Sequence, residues 1–158
     1  MHFPRTIRFD ASDEQVFERA AEPDEWAVSG AFAFAAADPE TLSGKRRQAF
    51  RSGFLGTRTF GWSTFAVVAE IDAMELEEVV ASLARHLVDH YGAPSLEAAD
   101  EAARAETRFA ASLCDHKVNT LIAVEREFGP KGIVERFRTI EPASHGAHAK
   151  IWTIVDDD

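Results

Sequence analysis

A single cysteine, Cys114, among 158 residues leaves no intrachain disulfide and no cysteine-rich zinc framework to expect. Long apolar runs are missing as well. No stretch reaches the roughly 20 residues of a membrane-crossing helix, and the opening MHFPRTIRFD carries charges where a signal peptide is apolar. Cations are in short supply: 17 Lys and Arg against 27 Asp and Glu give a net charge of −10. That balance repels phosphate backbones and anionic lipid unless the cations cluster. Neither nucleic acid nor a membrane is therefore an expected partner, and a reducing cytoplasm is the expected compartment. The chain also has no internal repeat, no low-complexity linker and no dinucleotide-binding glycine fingerprint. Gly44-Lys45 lacks the upstream glycine and the following Ser or Thr of a phosphate-binding loop.

What remains is an ordinary globular composition, 46% hydrophobic and 28% charged. A chain of this length can bury about 68–70% of its unfolded surface. The expectation is a single α+β domain over 1–158, with 156–158 a solvated tail. Short strands are expected at 3–10, 16–20 and 26–34, set off by Ala11-Ser12-Asp13 and Pro23-Asp24. Asp38-Pro39-Glu40 supplies a cap, a proline suited to the first helical position and an acid for the helix dipole, so a helix is predicted from there to Gly53.

Phe60–Ile71 is apolar on both alternating faces, the pattern of a central strand covered on both sides. From Asp72 the period changes, and Leu76, Val79, Val80, Leu83, Leu87 and Tyr91 mark a helix that Gly92-Ala93-Pro94 stops. Ser95 caps a second long helix, with Ala98, Ala102, Ala105, Phe109 and Leu113 as its expected buried stripe. Strands 121–128 and 133–140 flank Gly129-Pro130-Lys131-Gly132 as a hairpin, and 151–155 reads as a last strand. The fold class follows: a mostly antiparallel sheet packed against two long helices plus one shorter helix.

Reactive residue types gather at Cys114-Asp115-His116. If the helix continues through them, Cys114 points about 160° away from His116, which excludes a thiolate–imidazole pair. If it ends near Ser112, Asp115 and His116 are free to act as catalytic groups or to cap the helix. His86 and His90 stand four apart, the spacing at which two imidazoles share a metal. Leu87-Val88-Asp89 between them lacks a zinc protease's glutamate. Angular counting puts His90 near the apolar face and His86 at its flank. A divalent metal held by His86, His90 and His116 is thus one candidate, and a hydrogen-bonded boundary pair is the other. His145-Gly146-Ala147-His148 reads as a connector that adds ligands only if the fold brings it to the helices.

Lys45, Arg46, Arg47, Arg51 and Arg58 concentrate cations near four glycines, so Arg46, Arg47 and Arg51 form a candidate anion site, against a solvated face as the plainer account. Phe54 and Leu55, between Gly53 and Gly56, either dock a protein partner or anchor a loop into the core. Trp26, Phe32 and Phe34 are strand-packing residues first.

The segments WAVSGAF (26–32), FRSGFLG (50–56), FGWST (60–64) and FAASLCDHKVNTLIAVERE (109–127) resemble a small bacterial protein family without an assigned activity. The resemblance spans nearly the whole chain. It implies one intact domain with an accessory role and carries over no catalytic residue. The leading expectation is a non-catalytic binding or accessory protein, with a protein partner or a second copy of the chain as compatible partners. The alternative is a metal-dependent enzyme built on the His/Asp cluster, with metal-bound water as nucleophile.

Overall fold

A computed structural model describes residues 1–8, 13–142 and 152–156. It is an α+β fold in which every paired strand is antiparallel to its neighbour. The large sheet has the order β1-β5-β6-β7-β8, from β1 (His2–Ile7), β5 (Phe65–Glu70), β6 (Leu121–Gly129), β7 (Gly132–Pro142) and β8 (Trp152–Asp156). A small sheet joins β2 (Ala27–Val28), β3 (Phe54–Gly56) and β4 (Trp62–Ser63). The helices are a single turn α1 (Asp13–Val16), then α2 (Gly44–Ser52), α3 (Ala73–His90) and α4 (Leu96–Ser112).

The long helices begin where their caps dictate. Asp72 accepts from the Glu75 backbone while the Glu75 side chain accepts from Asp72, a complete capping box. Ser95 accepts from the Ala98 backbone. The α3 stripe is the expected one, with Val79, Val80, Leu83, Ala84 and Leu87 buried. The α4 stripe is not: Ala99, Ala103, Thr107 and Ala110 are inside, one residue or about 100° from the predicted set, and Phe109 is 40% exposed. A helix so rich in alanine presents small apolar groups on several faces, so its pattern leaves the rotation undefined. Tertiary packing sets it.

Other expectations needed correction. The proposed strand 16–20 is a turn of helix followed by bends, with Phe17 anchored beside Phe34 and Phe50. The proposed strand 26–34 stops after Val28, because Gly30 takes φ 83 and leads into a 3₁₀ turn, Ala31–Phe34. The helix expected from Asp38 starts at Gly44. Asp38 closes only a local turn through Glu40 and Leu42, after which Ser43 is extended and Gly44 has φ 61.

Phe60–Ile71 is likewise divided between sheets, as β4 and β5. Its second half meets the expectation, since β5 lies between β1 and β6 with four consecutive buried residues. The 121–140 hairpin forms in the expected register, Gly129 opposite Gly132. Asp156 belongs to β8, opposite Arg138, rather than to a tail.

The small sheet feeds two cores. Ala27 and Phe54 join Ala66, Val68, Ile122, Val124 and Cys114, whereas Val28 and Leu55 join Phe3 and the buried faces of α3 and α4. Between α2 and the hairpin lies an aromatic cluster in which Phe50 stacks on Phe128 with centroids 4.2 Å apart. Among the described residues no helix is long and apolar enough to cross a membrane.

Candidate functional site

A cleft of about 480 Å³ opens between α2, the 3₁₀ turn, the 57–62 loop and the last turns of α3. Phe34, Phe60, Trp62 and Tyr91 supply its aromatic walls, and Arg19, Lys45 and Arg46 its cations, with Glu18 the one acid. In a chain of net charge −10, this local excess of cations favours an anion. The volume is that of a small-molecule site.

The loop is held from beneath by a buried carboxylate. Glu25 accepts from the Arg58 and Thr59 backbones at 3.0 and 2.7 Å, from the Thr59 hydroxyl at 2.5 Å and from the Glu22 backbone at 2.7 Å. Ser82 of α3 donates to the Thr57 carbonyl at 2.6 Å, tying the loop to the helix. Gly61 lets the 19–21 segment approach, since a Cβ there would lie 2.5 Å from the Ala20 backbone. Trp62 N–H and Ala21 N–H then bond across that contact at 2.9 and 2.8 Å, which brings Arg19 to the cleft.

This clamp keeps Phe60 at φ 58, the left-handed region that bulky side chains rarely occupy. Its ring lies flat on His86, centroids 3.6 Å apart and planes within 1°. His86 in turn lies 4.9 Å from His90 and 5.5 Å from Tyr91, ring to ring. Arg46 sits over Phe34 at 5.8 Å, and Phe34 leans on Trp62 at 5.3 Å. Burial, then His90 and Arg19, lower the His86 pKa below 6.5, with Asp89 opposing. Burial raises that of Tyr91, with Arg46 opposing. Near neutral pH the imidazole is therefore uncharged and the phenol protonated. The standing positive charge is that of Arg19, Lys45 and Arg46.

The residues singled out in the sequence are dispersed. Arg46 faces this cleft, while Arg47 and Arg51 line a separate groove with Arg126, Arg136, Glu125 and Glu127. The trio does not form one anion site, because successive helix positions diverge by about 100°. Phe54 and Leu55 are 0% and 2% exposed and both anchor the core, with Leu55 also lining the cleft. The two histidines exchange their expected positions. His86 is half-buried and His90 exposed, because the 57–62 loop covers the helix flank that angular counting left open.

Among the described residues no three His, Cys, Asp or Glu side chains converge as a metal cluster, so His86, His90 and His116 are not brought together. α4 ends at Ser112 with Leu113 as its cap. Beyond it Asp115 is exposed, and the His116 carbonyl lies 3.0 Å from His2 Nδ1. His145 and His148 lie outside the described residues.

Cys114 is 1% exposed, and burial pushes its thiol up to about 12. It is expected to resist iodoacetamide at pH 8 in the native protein and to react fully in denaturant. Stoichiometric native labelling, read by mass spectrometry, would show the thiol to be accessible.

Arg19, Tyr91 and Glu25 carried no local signal of their roles. Arg19 lies within the segment 16–20 that reads as a strand, and Glu25 looks like any surface acid of a Pro-Asp-Glu turn. The clues available were Gly61, a possible close approach, and the glycine-flanked aromatics of 50–62.

Fold and cleft together define an α+β protein with a basic, aromatic-walled cleft of small-molecule size. Residues 1–155 match the profile of a family of unknown function, DUF6505, and the chain belongs to that family. No curated protein and no solved structure matches it.

Proposed function

We propose that this chain is a non-catalytic binding protein whose cleft between α2, the 57–62 loop and α3 takes a small anion. The observation that carries this reading is the convergence of Arg19, Lys45 and Arg46 on one aromatic-walled cleft in an otherwise acidic chain. Arginine forks and a lysine point charge suit carboxylate, phosphate or sulfate oxygens. The uncharged His86 adds a proton-dependent contribution. A bound anion raises its lowered pKa, so binding takes up a proton and strengthens as pH falls from 7.5 towards 5. The single buried thiol, Cys114, suits a reducing cytoplasm. With Phe54 and Leu55 in the core, the small-ligand reading has more support than protein docking.

Calorimetric titration with sulfate, which keeps its charge across that pH range, tests the reading. A saturable isotherm at constant ionic strength is expected. Arg46→Glu is expected to weaken it by about tenfold, near 1.4 kcal/mol, while Arg47→Glu, facing the other groove, leaves it intact. Heats that do not saturate, or equal losses in both variants, would remove the cleft as the site.

A further inference from the structure

We infer that the cleft selects anions carrying a flat conjugated ring, the ring lying against the Phe60–His86 stack and the acidic group meeting Arg46 and Lys45. This rests on the anion-binding reading and names its ligand class. Three independent features carry it. The Phe60 and His86 rings are parallel within 1° at 3.6 Å, an arrangement that a third flat ring can extend from within the cleft both side chains line. Phe60 is fixed in this pose by a left-handed backbone that the Glu25 carboxylate clamps through the Arg58 and Thr59 amides, so its plane is set before any ligand arrives. Strained backbone at a bulky residue persists only where its surroundings over-determine it, and here the product is a preset aromatic surface.

Cations and aromatic surface also line the same cleft. Arg46 lies over the Phe34 ring at 5.8 Å, and the cleft, at about 480 Å³, accepts a ring together with its acidic substituent. A saturated ring of equal size offers no π-face to the stack and fits the slot less well. An aromatic carboxylate and a nucleoside monophosphate share the required chemistry, and paired probes separate them.

The experiment titrates the full chain with two pairs matched in charge: 1-naphthoate against decahydro-1-naphthoate, and AMP against ribose 5-phosphate. The flat member of at least one pair is expected to bind about tenfold tighter, a stacking increment of the usual size. The pair that discriminates identifies the source, carboxylate or nucleotide. Phe60→Leu is expected to bring that ratio close to one, and His86→Leu serves the same purpose should Phe60→Leu fail to melt cooperatively. If all four probes bind without preference, the flat-ring inference is overturned and the anion site stands. If none of the four binds and sulfate does not either, both readings fall.

Discussion

Replacing Arg126 with methionine is expected to lower stability by about 3–5 kcal/mol, the cost of removing one partner from a buried charge pair. The Arg126 side chain is 0% exposed, and its Nε lies 2.8 Å from the Glu135 carboxylate. One guanidinium nitrogen donates to the Phe50 carbonyl at 2.9 Å, and the other to the Ser29 carbonyl. A single side chain thereby satisfies the end of α2, the exit from β2 and the facing strand β7. Burial lowers its pKa, and Glu135 opposes that effect. In the variant, Glu135 loses its cation while Glu106 remains near it; burial, and then Glu135, already raise the Glu106 pKa.

Urea unfolding should show the midpoint falling with little change in slope. At roughly 2–4 °C per kcal/mol for a chain of this size, the melting temperature should drop by about 6–20 °C. Arg126→Lys should recover little, since an ammonium cannot span the same acceptors. A loss under about 1 kcal/mol would mean that the network contributes only what a surface pair does.

Glu25→Gln is expected to cost about 3 kcal/mol, and it should weaken ligand binding together with stability. Glu25 is 2% exposed and accepts four hydrogen bonds, three of them from backbone amides. An amide NH₂ in place of either oxygen faces donors with a donor and leaves at least one buried N–H unmatched, at about 1–3 kcal/mol. Gly56 belongs to the same design, since a Cβ there would lie 2.5 Å from Glu25 Oε1. With the clamp weakened, Phe60 is free to leave φ 58 and the His86 stack with it. Thermal melts and calorimetry on one preparation should show both losses. Reduced stability with unchanged anion affinity would confine Glu25 to the scaffold.

The sequence by itself determined the extents of the two long helices and the hairpin, because their signals are local. Asp72 and Glu75 stand three apart, Ser95 opens α4, and Gly129 and Gly132 bracket a turn between alternating strands. It also marked 50–62 as unusual, through glycines interleaved with aromatics. Tertiary structure alone decided how α4 is rotated, since alanines look alike from every face, and how Arg46 is parted from Arg47 and Arg51. It buried Phe54 and Leu55 in two different cores and folded the 57–62 loop over the flank of α3, which turned His86 inward. The cleft depends on Arg19, Phe34, Lys45, Phe60 and His86, which are scattered through the first 86 residues. No spacing rule links them. Their meeting is fixed by Glu25 and by the contact at Gly61, long-range interactions that leave no period in the chain.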